Sequence, residues 1–268
     1  MGNSVDFRVG QDVYCLSPRV KNSFFRSLGN WTEKGDGIYK SLGLIQKTFE
    51  AMVNFASNFN FSSDQLETFS KVADDLHISR KYTIIQKITC YTGQKFVTSF
   101  QDWFWGKTSK PESSSDLVYD TIDLAKDFTT FSKLFTLSSY VTKLIAKGSN
   151  ALGLIYYPWN IKRAYNQIQK CNEIEKNAYL QKGSIVHLKN YLNRERKYQW
   201  MQIAVAVMDL SMPIIFFAGL ITGAAVVSAL TLWTLGTASL VLMSYSDFYT
   251  RMRDFDLTKK SIEHIKSK

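Results

Sequence analysis

The sequence predicts an all-α fold, a multi-helix bundle of amphipathic helices closed by a C-terminal transmembrane helical hairpin. Three observations predict it. From Leu210 to Ser246 the chain reads LSMPIIFFAGLITGAAVVSALTLWTLGTASLVLMSYS, 37 residues without a formal charge. Upstream, apolar residues recur at helical spacing, with no strand-like alternation among them. Serine-rich breaks carrying N-cap signals separate the periodic stretches.

Residues 1–37 read as an irregular segment, punctuated by Gly2, Gly10, Pro18, Gly29, Gly35 and Gly37. The spacing of Ile38, Leu42, Ile45, Phe49 and Met52 predicts a helix from Ile38 to about Ala56. After a break at Asn58–Ser63, Ser62-Ser63-Asp64-Gln65 reads as a capping box. It opens a helix whose apolar line is Leu66, Phe69, Ala73 and Leu76.

Residues 78–105 form the most amphipathic stretch. Ile78, Tyr82, Ile85, Phe96, Phe100 and Trp103 fall within about 40° of one line at helical pitch. Arg80 and Lys87 point to the far side, with Lys81 and Lys95 nearer the border. Two readings of this helix stand. It can lie in a bilayer interface, rings down and ammonium groups among anionic headgroups. It can equally pack its stripe on neighbouring helices, the commoner fate of an amphipathic helix. Gly93 weakens the helix locally under either reading.

Residues 106–115, rich in Ser, Lys and Pro, read as the clearest loop, ending on an N-cap signal at Ser113-Ser114-Ser115-Asp116. A long helix is expected from Asp116 to Lys147, with a stop at Gly148-Ser149-Asn150. The apolar stretch ALGLIYYPWNI is too short to span a bilayer, and Pro158 is expected to open a helix over 158–181. A basic helix over 184–200 then leads into the uncharged run.

Length decides how that run folds. One straight helix of 37 residues would extend about 55 Å, whereas the hydrocarbon slab is only about 30 Å thick. Two spans fit, roughly 203–221 and 224–245, turning near Leu220–Ala224. Basic residues flank both ends: Lys182, Lys189, Arg194, Arg196 and Lys197 before it, Arg251, Arg253, Lys259 and Lys260 after it. Basic flanks are retained in the cytosol, so both termini are expected there and the number of crossings is even. Gly219 and Gly223 make a GxxxG pattern, which either promotes self-association or makes the turn. Asp209 and Pro213 sit near the start of the first span, while Trp233 and Gly236 lie in the second. A soluble bundle that buries this hairpin is the competing reading. The division expected is therefore 1–37, a cytosolic helical region 38–200, the membrane hairpin 201–246 and a basic tail 247–268.

The formal net charge is +10 and the pI about 9.3. This asks for an anionic partner, and an apolar hairpin beside basic clusters favours an acidic bilayer. Nucleic acid is not expected, because stacking aromatics would need to share a face with the lysines. Cys15, Cys90 and Cys171 are odd in number and widely spaced, so neither a zinc site nor a disulfide framework is indicated. Gly2 is followed by Asp6 where a myristoylation motif needs Ser or Thr, and no apolar signal region opens the chain. Nucleotide-loop, zinc-protease and serine-hydrolase patterns are absent, and His77, His187 and His264 are scattered. No catalytic residue, cofactor or metal is expected.

Lys34-Gly35-Asp36-Gly37-Ile38-Tyr39-Lys40, Leu66 through Ser79-Arg80-Lys81, and Asp209-Leu210-Ser211-Met212-Pro213 with Gly219, Gly223 and Ser228 carry a scattered resemblance to the peroxin-eleven family of peroxisomal membrane elongation factors. Gly37 stands where that family usually has a basic residue, and YTIIQK follows Arg80-Lys81 where an RLGK-like run is usual. The two-lobed apolar run also resembles the chlamydial inclusion membrane proteins. The first resemblance implies a non-enzymatic protein that elongates or tubulates an organelle membrane. In it Arg80, Lys81, Lys87 and Lys95 grip headgroups while Phe96, Phe100, Trp103, Phe104 and Trp105 wedge the acyl boundary. The second implies an anchored platform on a pathogen vacuole that recruits protein partners on its cytosolic face. The partners expected are an anionic membrane, a second copy of the chain and a cytosolic protein.

Overall fold

The computed structural model of the chain describes residues 5–9, 12–18, 35–58, 61–105, 112–132, 139–177, 182–223, 227–251 and 255–260. Helices dominate it: α1 Gly35–Asn54, α2 Ser63–Lys87, α3 Gly93–Phe104, α4 Glu112–Ser132, α5 Ser139–Asn177, α6 Lys182–Thr222 and α7 Ala229–Arg251. The expected all-α bundle is therefore present. One small sheet is added to it, of β1 Val5–Val9, β2 Asp12–Pro18 and β3 Phe255–Lys260.

That sheet corrects the reading of 1–37 as irregular and of 247–268 as a tail. β1 pairs antiparallel with β2, Phe7 opposite Tyr14, and β2 pairs antiparallel with β3, Leu16 opposite Leu257. The signal was in the alternation of VDFRV and FDLT, each too short to stand out beside long helical stretches. Phe7, Tyr14 and Leu16 pack on Cys171 and Ile174 of α5 and on Leu188 and Leu192 of α6. Segments near the two ends of the sequence thus share one sheet.

α1 and α2 form an antiparallel pair, with Phe49 against Phe69, ring centroids 5.9 Å apart, and Gln46 3.4 Å from His77. The capping box is formed as expected. Gln65 N donates to Ser62 Oγ at 3.3 Å, and Ser62 N donates to Gln65 Oε1 at 2.9 Å. Replacing Ser62 by Ala leaves one of those donors without its protein partner at an exposed site. It should lower stability by about 1 kcal/mol in chemical denaturation.

The amphipathic stretch is one continuous rod with a defect. α2 passes through a π-helical turn, Ile88–Thr92, into α3. The Gly93 amide donates to the Ile88 carbonyl, and a Cβ on residue 93 would collide with that oxygen. Glycine at 93 is what lets the extra residue be absorbed there.

Four boundaries differ from the sequence reading. α1 begins at Gly35 rather than Ile38, and α4 at Glu112 rather than Asp116. Of the expected loop 106–115, residues 106–111 lie outside the described ones. Of the expected helix 116–147, residues 116–132 lie in α4 and 139–147 in α5, and residues 133–138 are also outside the described ones. The stop at Gly148-Ser149-Asn150 is overridden, and Pro158 lies inside α5 rather than opening a helix. The breakers named by local propensity are outweighed by packing, since α5 lies antiparallel along α6. Arg196 meets Glu175 at 2.6 Å, and a Cβ on Gly153 would stand 3.4 Å from Pro213 Cγ. A proline or glycine in a helix costs about 1–3 kcal/mol, which a long packed face offsets.

The basic helix and the first span are likewise one element, since α6 runs unbroken through residue 200. Gly223, with φ +67°, ends it, and its amide donates to the Gly219 carbonyl at 3.0 Å. Of the two readings of GxxxG, Gly223 takes the turn. α7 returns antiparallel and α1 lies along it, Lys40 paired with Asp247 at one end and Glu50 with Trp233 at the other. The helical region and the hairpin therefore share their length.

Candidate functional site

Two features of the bundle are unusual, an apolar exterior and a charged interior. They meet on the rod of α2, the π turn and α3. Ile78, Tyr82, Ile85, Val97 and Phe100 are exposed, as are Trp103, Phe104 and Trp105 at 49%, 61% and 69%. The rings form a ladder: Phe96 stacks on Phe100, Phe100 on Phe104, and Phe104 meets Trp105 edge-on. Phe96 is the half-buried member.

The opposite side of the same rod faces inward. Arg80, Lys87 and Tyr91 line a half-open cavity of about 1110 Å³, which the exposed Lys95 also borders. Two of the expected headgroup contacts are thereby reassigned. Lys87 Nζ lies 2.8 Å from Asp127 Oδ1, inside the bundle. The Arg80 guanidinium stands 4.1 Å over the Tyr39 ring, against α1. Both side chains do point away from the aromatic stripe, as helical pitch required; that far side is the interior. Lys95 donates to Tyr91 at 2.9 Å, and Lys81 is half-buried at the border.

α1 and α4 to α7 supply most of the rest of the cavity, and its Lys126, Tyr119 and Tyr156 were not named from the sequence. Lys126 Nζ sits 3.9 Å over the Tyr156 ring and 4.0 Å over that of Tyr157, an aromatic box for an ammonium group. Burial pushes its pKa down to about 8, with the Asp123 carboxylate opposing the shift. Tyr119 and Tyr156 stack at 5.2 Å and share a hydrogen bond between hydroxyls at 2.9 Å. Burial raises both phenols above their ordinary range. Asp127 is 7% exposed, and its carboxyl is raised by burial against the pull of Lys87. Asp123 and Asp127, one helical turn apart on α4, were the available signal. Without the fold they read as ordinary surface charges.

Asp127 Oδ2 and Arg80 Nε are among the buried side-chain atoms without a hydrogen bond, and neither opens onto the cavity. Thr92 lies beside the same carboxylate, but its hydroxyl donates to the Lys87 carbonyl at 3.4 Å. Among the described residues no group of His, Cys, Asp and Glu is placed to hold a metal ion.

Asp209, Pro213, Trp233 and Gly236 lie on contacts between helices, whereas Gly219 and Gly223 only close the end of α6. Ser239 Oγ donates to Asp209 Oδ1 at 2.5 Å, and Gln202 donates to Ser246 at 2.8 Å, which zips α6 to α7. Gly236 stands against Met212, and Pro213 against Gly153. Trp233 Nε1 donates to Glu50 at 2.6 Å and its ring meets Phe55. The hairpin is nevertheless mostly bare. Only 17% of the most apolar 18 residues of α6, and 22% of those of α7, are buried. A core hairpin of a soluble bundle would be covered on most sides.

Fold and surface together define a helical bundle carrying two helices long and apolar enough to cross a membrane. Comparison with protein-family models, curated proteins and solved structures finds no match to this chain.

Proposed function

We propose that this protein is a non-enzymatic membrane-shaping factor. The α6–α7 hairpin anchors it in an organelle or vacuole membrane, and the outer face of residues 78–105 wedges into the same bilayer. The observation that carries the reading is the bare ladder Phe100, Trp103, Phe104 and Trp105, backed by Ile78, Tyr82 and Ile85 on the outside of the bundle. Contiguous apolar patches beyond about 300–600 Å² are uncommon on soluble monomers and usually mark a contact. The net charge of +10 favours an anionic leaflet as that contact.

Insertion of bulky rings at the depth of the headgroups expands one leaflet and bends the membrane toward the protein. With Arg80 and Lys87 turned inward, the electrostatic grip falls to Lys81, Lys95 and the basic flanks of the hairpin. Strand pairing between residues 12–18 and 255–260 supports a topology with both termini on one side, which we assign to the cytosol. The resemblance to membrane elongation factors points the same way.

The test is reconstitution of the full chain with vesicles containing phosphatidylserine, followed by flotation and negative-stain electron microscopy. The protein should float with the vesicles, resist carbonate extraction and draw them into tubules. A chain that stays monodisperse in plain buffer and leaves vesicles spherical would defeat the proposal. Anchorage without any change in vesicle shape would instead favour a platform that recruits proteins.

A further inference from the structure

We propose that α1 and the first turns of α2 form a strap over α7, closed before the hairpin enters a bilayer and displaced by lipid when it does. The inference rests on the reading of α6–α7 as a membrane anchor.

Position comes first. α1 follows α7 from its charged end inward. Lys40 pairs with Asp247, and a Cβ on Gly43 would stand 3.0 Å from Leu240 Cδ2. Further along, Lys47 Nζ sits 5.6 Å from the Trp233 ring, and Glu50 accepts from Trp233 Nε1 at 2.6 Å. The stretch from Trp233 to Asp247 is about 21 Å long at helical rise, most of a hydrocarbon slab about 30 Å thick. α1 therefore takes up the depth that Ala229–Tyr249 would occupy in lipid.

α2 makes that depth untenable for a closed strap. Phe69 meets Phe49 and His77 meets Gln46, which sets residues 69–77 beside the same part of α1. Glu67, Lys71, Asp74 and Asp75 are exposed on that segment. With the hairpin spanning and the strap closed, these charges would face acyl chains. Ionisable side chains at bilayer depth face protein or a water-filled cavity instead. Spanning and closure thus exclude one another. The strap is the part that can leave, because each side of the contact has a substitute. Trp233 and Leu240 can meet acyl chains in place of α1, and an indole suits a membrane interface. Lys40, Lys47 and Glu50 regain water.

A covalent lock tests this in the full chain. Gly43→Cys and Leu240→Cys are introduced together, with the exposed Cys90 replaced by Ser to prevent mispairing. A disulfide needs Cβ atoms about 4 Å apart, and the close approach at Gly43 puts residue 240 near that reach. The Arg80 guanidinium, at the far end of a flexible side chain, has to swing aside. The oxidised and reduced chains are diluted from mild detergent into phosphatidylserine-containing vesicles and washed with carbonate. At least about tenfold more of the oxidised chain should wash off, because the cross-link raises the local concentration of the strap. Reduction should restore retention. Equal retention of both forms overturns the strap and leaves the anchor standing. Loss of both forms overturns the anchor, and the strap with it. Should the lock fail to close or disturb helicity, spin labels on Thr48→Cys and Thr234→Cys decide. In carbonate-resistant chains their separation should exceed that of the docked helices, and an unchanged separation overturns the proposal.

Discussion

Replacing Trp103, Phe104 and Trp105 together by Ser is expected to abolish tubulation while leaving the protein anchored. The three rings are 49%, 61% and 69% exposed, so most of their insertion energy is still available to a bilayer. Burying a large aromatic ring removes about 150–250 Å² from water at about 25 cal/mol per Å². With roughly half of each ring still to be buried, the loss is about 2 kcal/mol per side chain at full insertion. At the shallower depth of an interface we take about 1 kcal/mol each. The insertion equilibrium of this face should then fall about a hundredfold. The hairpin is untouched, so carbonate extraction should give the same result for variant and wild type. Vesicle diameter by electron microscopy and shielding of tryptophan emission from an aqueous quencher measure the effect. A variant that tubulates as well as wild type would show that this face does not do the bending.

Lys126 is expected to make the protein more stable as pH rises from 8 to 10. Burial lowers its pKa to about 8, against an ordinary value of 10.5 in the unfolded chain. Between those values the unfolded state binds more protons than the folded one, and stability rises with pH wherever that holds. The gain from pH 8 to pH 10 is about 2 kcal/mol. The charged and titratable groups around it are Asp123 and Asp127 on its own helix, Lys87 of α2, Asp209 of α6 and the phenols of Tyr156 and Tyr157. Burial holds those two phenols neutral in the folded protein, so they oppose the trend only above about pH 10. Lys126→Met should abolish the rise. Unfolding in mild detergent at pH 8, 9 and 10 measures it, and an equal slope in the variant would place the titrating group elsewhere.

The same rod of residues 78–105 explains why part of the site was legible and part was not. Its two faces were readable because helical pitch is a local property: Ile78, Tyr82, Ile85, Phe100 and Trp103 had to lie together, opposite Arg80 and Lys87. Which face would meet water, lipid or protein was not local. It depended on Asp127, forty residues beyond Lys87 and inside a helix that looked ordinary by itself. The cavity as a whole was invisible for the same reason, since Lys126 and Tyr156 are brought beside Asp209 only by the packing of α4, α5 and α6. The terminal sheet escaped notice because a strand of 5 residues carries little periodic signal, and because β3 finds β2 across most of the chain.

By itself, then, the sequence determined the helical class, the cap at Ser62 and the uncharged hairpin with its turn at Gly223. Each follows from neighbours within a few residues, where hydrogen bonding and side-chain periodicity act directly. Only the tertiary structure decided that Gly148 and Pro158 are carried through one helix, that 182–222 is unbroken, and that Arg80 and Lys87 point into the bundle. In those places, contacts between distant segments outweigh a local preference of a few kcal/mol.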